Sequence, residues 1–119
     1  MRLLSLERKP DVLCCNAYVL DAPSFLLVVD PGADDEQTVR LGAILAGLRN
    51  TRPRAILALL THAHRDHALA LADLSEAAGA PVTLMAHTAG ADALGAGDAH
   101  FTHSDLTGKT FPRIPVTFR

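Results

Sequence analysis

The sequence predicts an α/β layered domain, a sheet entered through a hairpin and continued by strands that crossover helices connect. Three observations carry this reading. Residues 12–20 and 25–29 are largely apolar runs joined by the turn formers Asp21, Ala22, Pro23 and Ser24, the pattern of an antiparallel hairpin. Leu41, Ile44, Leu45 and Leu48 recur at i, i+3, i+4 and i+7, the apolar stripe of a helix laid on a sheet. Residues 55–60 form a short, uninterrupted apolar run closed by a polar cluster, which suits a strand buried on both faces.

The elements follow in order. Residues 3–6 form a short first strand, stopped by Glu7, Arg8, Lys9 and Pro10. In the second strand Cys14 and Cys15 are adjacent, so their side chains point to opposite faces and a disulfide between them would be strained. They are expected to be reduced packing residues, one inward and one outward, as in a cytoplasmic protein. Asp30, Pro31 and Gly32 break the third strand: proline disfavours the α region for Asp30, and glycine permits a sharp turn. Asp34, Asp35 and Glu36 sit where a helix start favours negative charge, and Asn50 and Pro53 stop that helix. A second helix is expected over 68–78, closed by Gly79 and Pro81, then a strand over 82–85. A brief helix over 87–94 ends at Gly95 and Gly97, a turn follows at 107–109, and 114–118 is an edge strand because of Pro115.

With 119 residues the chain is one domain, able to bury about two-thirds of its unfolded surface. Hydrophobic residues make up 49% but aromatics only 4%, and tryptophan is absent, so the core must be leucine, valine, isoleucine and alanine. A net charge of −2 without a basic stripe offers no basis for binding nucleic acid or a membrane surface. The N-terminus lacks an apolar run long enough for a signal peptide, and no stretch reaches spanning length.

The chemistry concentrates in THAHRDH, residues 61–67, which places His62, His64, Asp66 and His67 directly after the apolar strand. In an extended segment His62 and His64 point the same way and can share one cation at the ~2.0–2.1 Å zinc requires. A helix starting after His64 would swing Asp66 and His67 to an adjacent position. A lone histidine is more often a surface residue, but four ligand-type side chains packed together at a strand end form a candidate metal site. Zinc is the default for such ligands, with iron or manganese also compatible. His87 reads as a partly exposed helix cap, His100 and His103 as loop residues, and Arg65 as a solvated charge.

THAHRDH resembles the HxHxDH signature of the metallo-β-lactamase superfamily. The resemblance extends through NAYVLD (16–21), LLVVDPG (26–32) and RAILALLTH (54–62), in the family's order and spacing. It implies an αββα sandwich, of which this chain would be roughly the N-terminal sheet layer with its helices. It further implies His62 and His64 on a first metal, Asp66 and His67 on a second, Asp66 as the catalytically essential carboxylate, and Asp30 beneath the loop orienting a ligand. The family's later GHTxGS-like histidine, bridging aspartate and final histidine have no counterpart here, and Ala68 to Leu71 replace the glycines usual after the signature. A lone sheet layer would leave one apolar face uncovered, so a second copy or a complementary chain is expected to cover it. The leading expectation is a metal-dependent hydrolase of a small-molecule thioester, ester, lactam or phosphoester, closest to the glyoxalase II-like branch, or its N-terminal portion. The alternatives are a non-catalytic metal-binding or assembly module, one piece of a split protein, and a structural domain with incidental histidines.

Overall fold

The computed structural model describes all residues from Met1 to Arg119. Five strands, β1 (Arg2–Leu6), β2 (Ala17–Asp21), β3 (Phe25–Val29), β4 (Ala55–Leu59) and β5 (Val82–Met85), lie side by side in chain order. The β1–β2 and β2–β3 pairs are antiparallel, and β3–β4 and β4–β5 are parallel. Parallel neighbours need a crossover. α1 (Asp35–Thr51) supplies the first, and α2 (Arg65–Ala68) with α3 (Leu71–Ala78) supply the second. α4 (Thr88–Ala96) and a 3-10 turn (Ser104–Thr107) complete the chain.

The hydrophobic stripe foreseen for α1 packs where expected: Leu41 and Leu45 are fully buried in one core with Val19, Leu26, Val28, Ile56, Ala58 and Leu84 from the strands. Asp34 caps the helix by accepting from the Gln37 amide at 3.2 Å, satisfying one of the orphan donors of its first turn. α1 and α3 cross closely because residue 42 is glycine. A Cβ there would stand 2.5 Å from the Ala77 backbone.

Four expectations change. β2 starts at Ala17 rather than at residue 12, because residues 12–16 fold under the turn after β3. Cys14 and Cys15 are therefore both buried, not divided between inside and outside. Burial pushes the Cys15 thiol up to about 12, with Cys14, Asp30 and Asp66 adding to the shift, so it is a packing group rather than a nucleophile. The helix expected over 68–78 is split, because the Ala70 amide leaves the helical ladder and donates to the Gly32 carbonyl at 2.8 Å. The last strand shrinks to one bridge between Met85 and Phe118, since Pro112 and Pro115 lack the donors a longer ladder needs.

The fourth change concerns β4, which is buried on one face only: Ile56 and Ala58 face the core, while Ala55 and Leu59 are exposed. The same holds across the sheet. Leu3, Leu20, Leu27, Leu57 and Thr83 form one cross-strand row and Tyr18, Val29, Leu59 and Met85 another, and no helix lies over these rows. Leu3, Tyr18 and Leu59 are 66%, 39% and 38% exposed. A largely apolar face of this extent is uncommon on a soluble domain.

Candidate metal centre

The centre lies at the C-terminal ends of the two inner parallel neighbours, β3 and β4, which deliver Asp30 and the loop 60–64. Asp30 is buried and has φ 50°, a left-handed conformation that aspartate tolerates better than most residues. Both carboxylate oxygens are engaged. Oδ1 accepts from the Thr61 amide at 2.8 Å, and Oδ2 accepts from the Thr61 hydroxyl at 2.6 Å.

That second bond fixes a histidine. Thr61 Oγ1 lies 3.0 Å from His62 Nδ1. A hydroxyl has one proton, and this one goes to Asp30, so His62 Nδ1 must be the donor in the contact. The unprotonated nitrogen of His62 is then Nε2, the one left for a cation. Asp30 also reaches the other end of the motif: His67 Nδ1 stands 3.1 Å from Asp30 Oδ2. This is a close contact off the line of the ring N–H, so the buried nitrogen has no aligned hydrogen bond. One carboxylate thus sits behind two imidazoles, the arrangement that orients metal-ligating histidines.

The turn after β3 is tied to the same loop. The Gly32 amide donates to the His67 carbonyl at 3.0 Å and the Gly32 carbonyl accepts from Ala70. Gly32 has φ 96°, and a Cβ would meet Gln37 Nε2 at 2.6 Å and Cys14 Sγ at 2.7 Å. Gln37 is buried and donates to the Cys15 and Pro31 carbonyls at 3.0 and 3.1 Å. Its role was missed in the sequence, where it reads as one more polar residue in a first helical turn.

His62, Asp66 and His67 converge: one ligand atom from each lies within 4.8 Å of the others. His67 Nε2 is 3.5 Å from Asp66 Oδ2, and the His62 and His67 rings are 4.1 Å apart. Ligands of a tetrahedral zinc ion stand about 3.3 Å apart at its ordinary bond lengths, so this donor set fits a divalent cation after small side-chain adjustments. His64 is absent from the trio. Its ring meets His62 edge-on at 4.5 Å and turns toward His103. Burial holds its pKa below the usual histidine range, and the neighbouring His103 and His62 push the same way.

Outside the trio, His87 caps α4 through Nδ1, which accepts from the Ala89 amide at 3.3 Å, as expected. His100 is an exposed residue paired with Asp105. Arg65 is not the solvated charge the sequence suggested. Its Nη1 donates to Ser104 Oγ at 2.6 Å and to the Thr110 carbonyl at 3.1 Å, because α2 packs against the 3-10 turn.

Sheet and site together define the fold of a metal-dependent hydrolase. A model of the metallo-beta-lactamase superfamily matches residues 10–116, and the chain belongs to that superfamily. No curated protein matches the sequence. Among solved structures, the B3 metallo-beta-lactamase BLEG-1 is 27% identical, with 93% of this chain and 48% of that one covered at a TM-score of 0.63. TTHA1623, solved in a di-iron-bound form, is 28% identical over 98% of this chain and 52% of that one, with a TM-score of 0.61. A Cronobacter sakazakii metallo-beta-lactamase with a HARLDQ motif shares the fold at 22% identity and a TM-score of 0.60, covering 87% of this chain and 40% of that one. The chain spans about half the length of these structures, or less. No helix is long and apolar enough to cross a membrane.

Proposed function

We propose that the chain carries the metal-holding part of a hydrolase that cleaves a small-molecule ester-type bond, a thioester first among them. The observation behind this is the convergence of His62, Asp66 and His67 over the buried carboxylate of Asp30. A divalent cation held there would polarise a carbonyl oxygen and acidify a water to a pKa of about 7. Zinc is the ion best matched to imidazole and carboxylate ligands, and iron is compatible with the same set.

The chain's own residues do the rest. Asp30 and Thr61 hold His62 in the tautomer that leaves Nε2 free, Asp66 brings negative charge to the cation's position, and His64 extends the site on its far side. Beside His62 a recess runs between the end of β4 and α4, walled by Leu60, Ala63, Ala86, Gly90 and Phe101. Its apolar lining suits the acyl portion of a thioester. The preference for thioesters rests on NAYVLD, LLVVDPG and THAHRDH, which resemble the glyoxalase II-like branch. The uncovered sheet face belongs to the same reading: it would be covered by a second copy or by a complementary chain. A reducing, cytoplasmic compartment accords with the adjacent buried free thiols of Cys14 and Cys15.

Metal content and turnover test the proposal together. The purified chain is expected to hold zinc or iron by elemental analysis, and the double variant His62→Ala/His64→Ala to hold none. Slow cleavage of activated thioesters should vanish in Asp66→Ala with the melting temperature unchanged, because Asp66 lies in a half-buried surface helix turn. Unchanged metal content in the double variant would sink the site. Metal without turnover, in the chain alone and after its partner is supplied, would favour the non-catalytic binding module.

A further inference from the structure

Asp66 is the one acidic member of the converging trio, and its own side chain does little to fix it. Its carboxylate has a single polar contact, to His67 Nε2 at 3.5 Å. Its position is therefore inherited from the backbone of α2, which is four residues long with no side chain capping its start. One turn of helix does not hold itself together in water, so both of its ends must be tied from outside.

The C-terminal end is tied to the turn after β3. There the Gly32 amide donates to the His67 carbonyl at 3.0 Å, and the Gly32 carbonyl accepts from the Ala70 amide at 2.8 Å. The N-terminal end is tied twice by Arg65. Its backbone amide belongs to the first turn, where no carbonyl within the helix can reach it, and it donates to the Thr102 carbonyl at 2.7 Å. Its guanidinium Nη1 donates to Ser104 Oγ at 2.6 Å and to the Thr110 carbonyl at 3.1 Å. The Ser104 hydroxyl donates its own proton to the same Thr110 carbonyl at 3.1 Å, which leaves its oxygen to accept from Arg65. Thr102 and Ser104 are fully buried, so the anchor is part of the packed interior. A hydrogen bond from a charged donor is also stronger than a neutral one.

We propose that Arg65 is a positioning residue for Asp66. It locks α2 to the 3-10 turn, and through α2 it sets where the Asp66 carboxylate meets His62 and His67. The inference rests on the metal-site reading above, and Arg65 acts through Asp66 rather than as a ligand.

The test separates position from stability. Cobalt(II) is the probe: its visible absorption reports ligand geometry, and competition with a chelator reports affinity. Arg65→Met keeps the apolar stem and removes the donors. It should bind cobalt about tenfold more weakly than wild type, as for other groups that orient a ligand, with a changed spectrum. Ser104→Ala removes the other partner of the bond from outside the metal loop. It should change the spectrum in the same direction by less, since the Thr110 carbonyl still accepts from Arg65. In the double variant the two losses should not add. Arg49→Met is the control. Arg49 Nε donates to the Arg54 carbonyl at 2.9 Å, a tether of the same kind at the opposite end of the sheet, and its loss should leave cobalt binding as in wild type. Unchanged affinity and spectrum in both Arg65→Met and Ser104→Ala overturn the proposal and leave the metal site standing. Should Arg65→Met not fold, unchanged cobalt binding in Ser104→Ala overturns it alone. An equal loss in Arg49→Met also overturns it, since the effect would then be one of general stability. Absence of cobalt binding in wild type removes the metal-site reading and this inference with it.

Discussion

The two faces of one sheet differ more than any two other parts of this molecule. Beneath the helices, Val19, Leu26, Val28, Ile56 and Ala58 are essentially inaccessible. One residue along each strand, Leu20, Leu27, Val29, Leu57 and Leu59 lie on a face with no layer above it. The side chains of the two sets are of the same kind, and the alternation of a strand alone decides their fate. Composition does not reveal coverage: a run of leucines and valines has the same pattern whether one face of its sheet is covered or both.

The largest expected effect is on association. At micromolar concentration the chain should sediment as a dimer or larger, or pair with a complementary chain, and Leu57→Glu should abolish that while leaving the helix-covered core folded. A compact monomer of unaltered wild type would show instead that the open face is stable in water.

Next in size is a pair of neighbouring substitutions. Leu26→Ala removes a fully buried side chain and should cost about 2–5 kcal/mol in denaturant unfolding. Leu27→Ala, on the open face, should cost under about 1 kcal/mol in the dissociated chain and weaken association instead. Equal costs at concentrations where the chain is dissociated would show that both faces are covered within one chain.

At the sheet's end the buried carboxylate of Asp30 acts on an exposed loop. Asp30→Asn keeps the size of the side chain but loses the charge that holds Thr61 and His67. Metal affinity should fall about 10–100-fold, as for other groups that orient a ligating histidine. Equal zinc affinity by calorimetry would demote Asp30 to a turn residue.

Much of this was legible in the chain. Periodicity placed α1 and its stripe, and the apolar run placed β4, because local burial patterns leave a local signature. The turn formers placed the hairpin for their own reason: aspartate, proline and serine favour tight turns by themselves. The cluster of His62, His64, Asp66 and His67 was visible because its members are neighbours in sequence, whereas Asp30, which by itself reads as a turn former before Pro31 and Gly32, entered only through the family resemblance.

Only the tertiary structure decided the rest, and the reason is the same in each case. Residues 12–16 leave the β ladder because Cys14 and Cys15 fill the space beneath Gly32, a contact between distant segments. The helix after the metal loop breaks at Ala70 because its amide is claimed by Gly32, nearly forty positions away. Arg65 becomes a tether, and His103 a neighbour of His64, through bonds to Thr102 and Ser104 that no spacing rule anticipates. Sequence by itself determined which stretches could be helix, strand or ligand, since those properties belong to a few consecutive residues. Which histidines meet, and which face of the sheet stays open, depends on how separated segments pack, and that was decided only in three dimensions.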